Sequence, residues 1–217
     1  MNHNNAYVIT IQSLPESVGA AERCINSASR FGLSVDHYDA FTPKDNPREY
    51  LTERGVPLIG FEEKYSRIEN CIAAFCSHFS LWEFSRDMNK EVIIFEHDAI
   101  MVNPLPLMNF DKVITFGKPS YGKFNTPSII GVNPLVHKRY FGGAHAYMVK
   151  PSGAEALIEA SWKKAGPTDV FLHLNNFPWL QEYYPWCAEV KETFSTIQNT
   201  TGCLAKHQYN EMYRIIG

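Results

Sequence analysis

Apolar residues along this chain fall into two kinds of pattern, short β-branched runs and longer stretches with helical spacing. Residues 6–11 (Ala-Tyr-Val-Ile-Thr-Ile) form a short β-rich run and predict a first strand. Residues 16–31 carry Ala20, Ala21, Cys24, Ile25 and Ala28 along one side, and Gly32 follows where a helix would stop. Residues 34–38 predict a second strand, so strand, helix and strand occur within about 35 residues, the order of a parallel βαβ unit. Residues 44–63 are polar and punctuated by Pro47, Gly55, Pro57 and Gly60, and read as a loop. The longest helical pattern, 65–88, places Ile68, Ile72, Phe75, Phe79 and Trp82 three and four residues apart.

That helix delivers the chain to Val92-Ile93-Ile94-Phe95, a run predicting a strand buried on both faces. A strand at 112–116, a Gly- and Pro-rich loop at 117–134 and a glycine turn entering a strand at 140–149 follow. Helices are predicted at 154–164 and from Gly166-Pro167-Thr168-Asp169 onward, where Thr168 can serve as N-cap. From Phe177 the chain is aromatic-rich without a clear period. No repeat or boundary divides it, so the expectation is a single domain, 1–217, of α/β class with a mainly parallel sheet.

Composition narrows the function classes. A 45% hydrophobic and 20% charged chain of 217 residues is long enough for one sizeable core. Its net charge of -3 provides no general attraction for nucleic acid or anionic membrane. The five cysteines are odd in number and form no CxxC pair, which favours a reducing compartment without structural zinc. No secretory signal is visible at residues 1–5, and no apolar run approaches the roughly 18 residues of a membrane span. The expectation is a cytoplasmic protein.

The candidate chemistry begins where the central strand ends, at Glu96-His97-Asp98. Ligands of open α/β sheets bind beyond the carboxyl ends of the strands. Two acids there suit a divalent cation carrying phosphates, since hard cations take oxygen ligands. A solvated acidic turn is the plain alternative.

Several segments, in order, resemble glycosyltransferase family 25, which holds lipooligosaccharide and collagen-type galactosyltransferases. Phe31-Gly32-Leu33 leading to Asp39-Ala40-Phe41 resembles its "gl…f.AvdG" segment, after Arg23. Ile72 to His78 with Trp82 resembles "IGCxxSHxxxW", and Ile93 to Ala99 resembles "vlIlEDDa". Gly142 to Leu157 resembles "GtxaYliskxgAxkLl", Pro167-Thr168-Asp169 "piD", and Ser195-Thr196-Ile197 "StI". Ala73-Ala74 stands in place of Gly-Cys, Cys71 in place of Glu, and His97 in place of the middle Asp.

The resemblance implies a GT-A fold with one Rossmann-like domain, a nucleotide-sugar donor, a divalent metal (Mn2+ or Mg2+) and an inverting reaction. It implies Asp98 as metal ligand, with Glu96 sharing the metal or holding ribose hydroxyls, and His207 as a third ligand or a plain tail residue. Ile11, Gln12, Asp39, Ala40 and Phe41 should border the nucleobase and ribose, with Arg23 near the phosphates and His97 beside the donor. Gly143 would bring backbone close to the sugar, or make a simple turn. Asp169 matches the general-base position, although an acid in a first helical turn also stabilises the helix dipole. His78 is expected to organise the acidic turn. His137-Lys138-Arg139, with Lys118 and Lys123, forms a basic run facing a phosphorylated acceptor or solvent. The implied function is hexose transfer from a UDP donor to a glycan hydroxyl; a protein hydroxyl or hydroxylated DNA base is the acceptor alternative. A non-catalytic nucleotide-sugar or glycan-binding module is the rival from another class.

Overall fold

The computed structural model describes residues 5–61, 66–191, 194–198 and 214–216. A seven-stranded sheet organises them, built from β1 (Ala6–Thr10), β2 (Asp36–Asp39), β3 (Val92–Glu96), β5 (Val113–Thr115), β6 (Gly131–Pro134), β7 (Ala146–Val149) and β8 (Gln181–Tyr184). Their order is β2-β1-β3-β7-β5-β8-β6. β1 pairs in parallel with both β2 and β3, and β5 with β8, whereas β7 is antiparallel to β3 and β5, and β6 to β8. Five strands therefore run one way and β7 and β6 the other, so the sheet is mixed but mostly parallel. Outside it, β4 (Ala99–Met101) pairs antiparallel with β9 (Ala188–Val190), and β10 (Phe194–Ser195) pairs in parallel with β11 (Arg214–Ile215).

Strand alternation sends side chains into two apolar layers. Val92 and Ile94 of β3 join Tyr147 and Val149 of β7 on one face, under α3 (Ile68–Asp87) and α4 (Pro151–Ser161). Ile93 and Phe95 join Ala146 and Met148 on the other, under α1 (Pro15–Ser29). The small residues Ala20, Ala21, Cys24 and Ala28 let α1 lie close to β1 and β4. Larger Phe75, Phe79 and Trp82 fill the wider layer beneath α3. Cys24, Cys76 and Cys187 are buried thiols outside any disulfide; Cys203 lies outside the described residues. Among the described residues, no helix is long and apolar enough to cross a membrane.

The predicted order of strands and long helices holds, with local corrections. Residues 44–61 are not a loop: they hold two short 3-10 turns and α2 (Pro47–Glu53), opened by a proline in its first turn. The loop predicted at 117–134 ends in β6 at the sheet edge, and the aromatic stretch after Phe177 supplies β8 and β9. α5 (Thr168–Phe171) is a single turn, with Pro167 rather than Thr168 at the cap position and no side-chain cap.

Candidate active site

The chain passes from β1 out to β2 and back to β3 on the other side, making a topological switch between β1 and β3. Such points open a crevice beyond the carboxyl ends of the strands. A cavity of about 500 Å3 lies there. Its walls are the ends of β1, β2 and β3, the first half of α3, and the segment 194–197. The Asn70 amide donates to the Thr196 carbonyl at 2.7 Å, the Arg67 amide to Ile197 at 2.6 Å, and the Arg67 guanidinium to Ile216 at 2.6 Å, tying that segment to α3.

Of the predicted donor and metal residues, Ile11, Ala40, Phe41, Glu96, His97 and Asp98 line this cavity. Exposed Gln12, Arg23 and Asp39 lie off its wall. His207 lies outside the described residues. Ser77 Oγ accepts the Phe41 amide at 2.9 Å and donates to the Ala73 carbonyl at 3.1 Å, fixing the β2 end on α3. The Ile11 amide donates to Ser17 Oγ at 2.9 Å, and His97 Nδ1 lies 3.0 Å from that hydroxyl. The His97 ring stacks on Phe194, centroids 5.3 Å apart.

Glu96 is held by a buried relay. Trp82 Nε1 can only donate, and it reaches the Tyr147 hydroxyl at 2.9 Å. The Tyr147 proton then points to His78 Nδ1 at 2.9 Å, leaving the other ring nitrogen protonated and donating to Glu96 Oε1 at 3.2 Å. Burial alone would raise the Glu96 carboxyl, yet the hydrogen bond donated by His78 leads the effects that hold it below the ordinary range. His78 thus organises Glu96 through a hydrogen bond.

A second group of residues surrounds Asp169, apart from the cavity wall. Asp169 Oδ1 accepts the Val170 amide at 2.8 Å, and Oδ2 accepts the Tyr121 hydroxyl. Burial pushes the Asp169 carboxyl above its ordinary range, the Tyr121 bond opposes that rise, and the Glu96 charge adds to it. Residues 136–142, which carry Lys138 and lead into the glycine turn, are anchored on Glu182, which is fully buried. Its Oε1 accepts the Val136 and His137 amides at 2.6 and 2.8 Å, and its Oε2 lies 2.9 Å from His137 Nδ1. His137 Nε2 accepts the Gly142 amide at 3.2 Å, so Nδ1 carries the proton given to Glu182.

Gly143, at φ 115°, closes on the His145 ring, where a Cβ would fall 2.8 Å from Nδ1. The opposite side of that ring meets Gly117, whose Cβ would fall 2.5 Å from Nε2. Burial pushes His145 down to about 4, so the ring is neutral. The predicted basic run disperses: His137 is buried with Glu182, and Lys118 pairs with Glu189 at 3.2 Å. Sequence reasoning missed Tyr121, His145, Ser17 and Glu182. An acid inside an aromatic strand was the one visible signal for Glu182; the others carry no spacing that marks them.

No three His, Cys, Asp or Glu side chains are grouped to hold a metal among the described residues. A cation held by one or two carboxylates and completed by substrate phosphates needs no such group. Glu96 and Asp98, both on the cavity wall, fit that kind of centre.

No family model matches the chain. Three curated relatives do, each named a glycosyltransferase 25 family member. The protein from Drosophila melanogaster is 27% identical over 185 residues, 77% of this chain and 30% of that protein. That from Drosophila pseudoobscura pseudoobscura is 25% identical over 186 residues, 78% of this chain and 29% of its own length. That from Aedes aegypti is 23% identical over 197 residues, covering 82% and 32%. The chain therefore spans about a third of the length of these relatives. Together with the ordered motifs, they make the chain a relative of glycosyltransferase family 25.

Proposed function

We propose that this chain is a glycosyltransferase of GT-A type that moves a hexose from a UDP donor to an acceptor hydroxyl with inversion. The observation that carries the reading is the cavity at the β1/β3 switch point, with Glu96 and Asp98 on its wall, in a relative of that family. Ile11, Ala40 and Phe41 would border the nucleoside. Asp98, with Glu96 beside it, would hold a divalent cation, which when bound supplies Lewis-acid stabilisation of the departing diphosphate. The relay from Trp82 through Tyr147 and His78 keeps Glu96 ionised and in place.

Asp169 is the proposed general base. It accepts the proton of the acceptor hydroxyl as that oxygen bonds to the anomeric carbon and the bond to the diphosphate breaks. Its raised carboxyl suits proton acceptance, because a base works best with a pKa near the operating pH. A glycan saccharide is the proposed acceptor, by analogy with the family. A protein hydroxyl or hydroxylated DNA base would undergo the same chemistry.

The rival reading, a module that binds nucleotide sugar without turnover, draws on His97, whose ring is committed to Ser17 and Phe194. Thermal unfolding with UDP-glucose and UDP-galactose, with and without manganese, tests binding. A ligand at 100 times its Kd stabilises by about 2.7 kcal/mol. The expected result is a manganese-dependent upward shift with slow UDP release. A shift without UDP release, even with candidate acceptors, favours the module; no shift with any nucleotide sugar removes the proposal.

A further inference from the structure

Among the described residues, the carboxylate of Asp169 is gripped from outside its own helical turn by one side chain, Tyr121. Tyr140 and Lys138 hold Tyr121 in turn. Its ring stacks on Tyr140, centroids 6.3 Å apart and planes 28° apart. Lys138 Nζ lies over the Tyr121 ring, 4.3 Å from its centroid, and 5.4 Å from that of Tyr140. The same Nζ donates to the Tyr121 carbonyl. Tyr140 continues the stack onto His173, centroids 6.0 Å apart, just beyond α5. Among the described residues Lys138 makes no ion pair, so its closest contacts are the two rings and one carbonyl that fix Tyr121.

We infer that Tyr121 is a positioning residue for Asp169, locked over it by Lys138, so that the carboxylate meets the acceptor hydroxyl in one orientation. The inference rests on the reading of Asp169 as the base. A carboxylate offers about four lone-pair sites. The Tyr121 hydroxyl holds one oxygen and the Val170 amide the other, and the amide of Asp169 itself adds to them, which leaves a remaining lone pair for a substrate proton. Turning the carboxylate would break the Tyr121 bond, so the remaining lone pair keeps its direction. A hydrogen bond to the ionised form also favours that form.

Tyr121, Lys138 and Glu96 are the titratable groups acting on Asp169. Tyr121 donates to it, the Lys138 charge faces it, and the Glu96 charge opposes its ionisation. Burial pushes the Tyr121 phenol far above neutral pH, so it remains a donor wherever the enzyme works.

Tyr121→Phe retains the ring stack and the Lys138 contact and removes only the O–H. In the full chain, carbon-13 NMR of side-chain carboxyl carbons, with Asp169→Asn for assignment, should show the Asp169 midpoint rising by about one pH unit. Lys138→Met should raise it in the same direction, and it carries the test alone if Tyr121→Phe does not fold. A midpoint within about 0.2 unit of wild type in both variants overturns the inference.

UDP release from UDP-galactose or UDP-glucose with manganese gives the kinetic arm. Tyr121→Phe should lower kcat about tenfold, leave donor KM unchanged and move the acid limb of the pH profile upward. In an Asp169→Asn background it should do nothing further. Full turnover in Asp169→Asn would defeat the base reading whatever Tyr121 does. Lost turnover there, with wild-type kcat and acid limb in Tyr121→Phe, would defeat the positioning role alone.

Discussion

Tyr147 is the residue through which the buried relay is most exposed to damage. Its hydroxyl serves Trp82 and His78 at once and is fully buried. Tyr147→Phe would strand an indole N–H and an imidazole nitrogen, and buried unsatisfied groups cost about 1–3 kcal/mol each. Denaturant unfolding should show a loss of that size, with weakened donor binding because Glu96 loses its fixed donor. Asp98→Asn tests the cation more directly. It should keep the wild-type unfolding midpoint and lose manganese-dependent binding of UDP-sugar; unchanged binding, or full wild-type binding in EDTA, would contradict a metal at this site. Asp169→Asn should lower turnover about 10²–10⁴-fold at saturating donor, the usual contribution of a general base. Turnover within about threefold of wild type would leave Asp169 with a structural role only.

Elements were legible in the sequence where burial dictated their residues. β3 is apolar on both faces because helices cover both sides of it, and the run Val92 to Phe95 shows this directly. α3 was equally visible, since its aromatic residues recur at helical spacing. α2 was not, because only Pro47 and Leu51 are buried and the remaining face is polar. β6 is a short edge strand containing glycine and proline, a composition that also describes a loop. At the site, Glu96 and Asp98 were legible because a strand end positions them. Tyr121 and Glu182 meet their partners 48 and 45 residues away, and no local spacing records such meetings.

One seam between elements is equally silent in the sequence. Gly60 lies so close to the segment entering α5 that a Cβ there would fall 1.6 Å from the Ala165 carbonyl oxygen. Gly60→Ala must push residues 165–169 outward, and overpacking of this kind costs about 1–3 kcal/mol. The expected signature is reduced stability together with reduced turnover, because Asp169 moves with the segment; loss of stability with unchanged kcat would separate the seam from the base.

At the scale of the whole molecule, two buried groups make stability depend on pH in the same direction. His145 titrates near 6.5 when unfolded and is held to about 4 by burial in the fold. The unfolded chain binds the extra proton between those values, so stability falls as pH drops from 6.5 to about 4, by on the order of 3 kcal/mol. Glu182 is held below its ordinary 4.5 by His137 and two amides against the effect of burial. Its contribution is complete above that value and is lost as pH falls through the folded one. Asp169, raised by burial, opposes both more weakly than it would without Tyr121. Unfolding free energies measured from pH 7 to 4 should decline, and His145→Asn should flatten the slope above pH 4.5; an unchanged slope would show that His145 is not held neutral. The insertion of β7 between β3 and β5 also bears on synthesis at the ribosome. One edge of β3 is covered by β1 early, but the other waits for residues 146–149. A nascent or truncated chain ending before Ala146 carries Val92 to Phe95 as an open, uncharged, proline-free edge, able to template pairing with another chain. A fragment of residues 1–145 should therefore sediment as aggregates under conditions that keep the full chain dispersed, and antiparallel β7 becomes the stopper that ends a hazardous interval of translation.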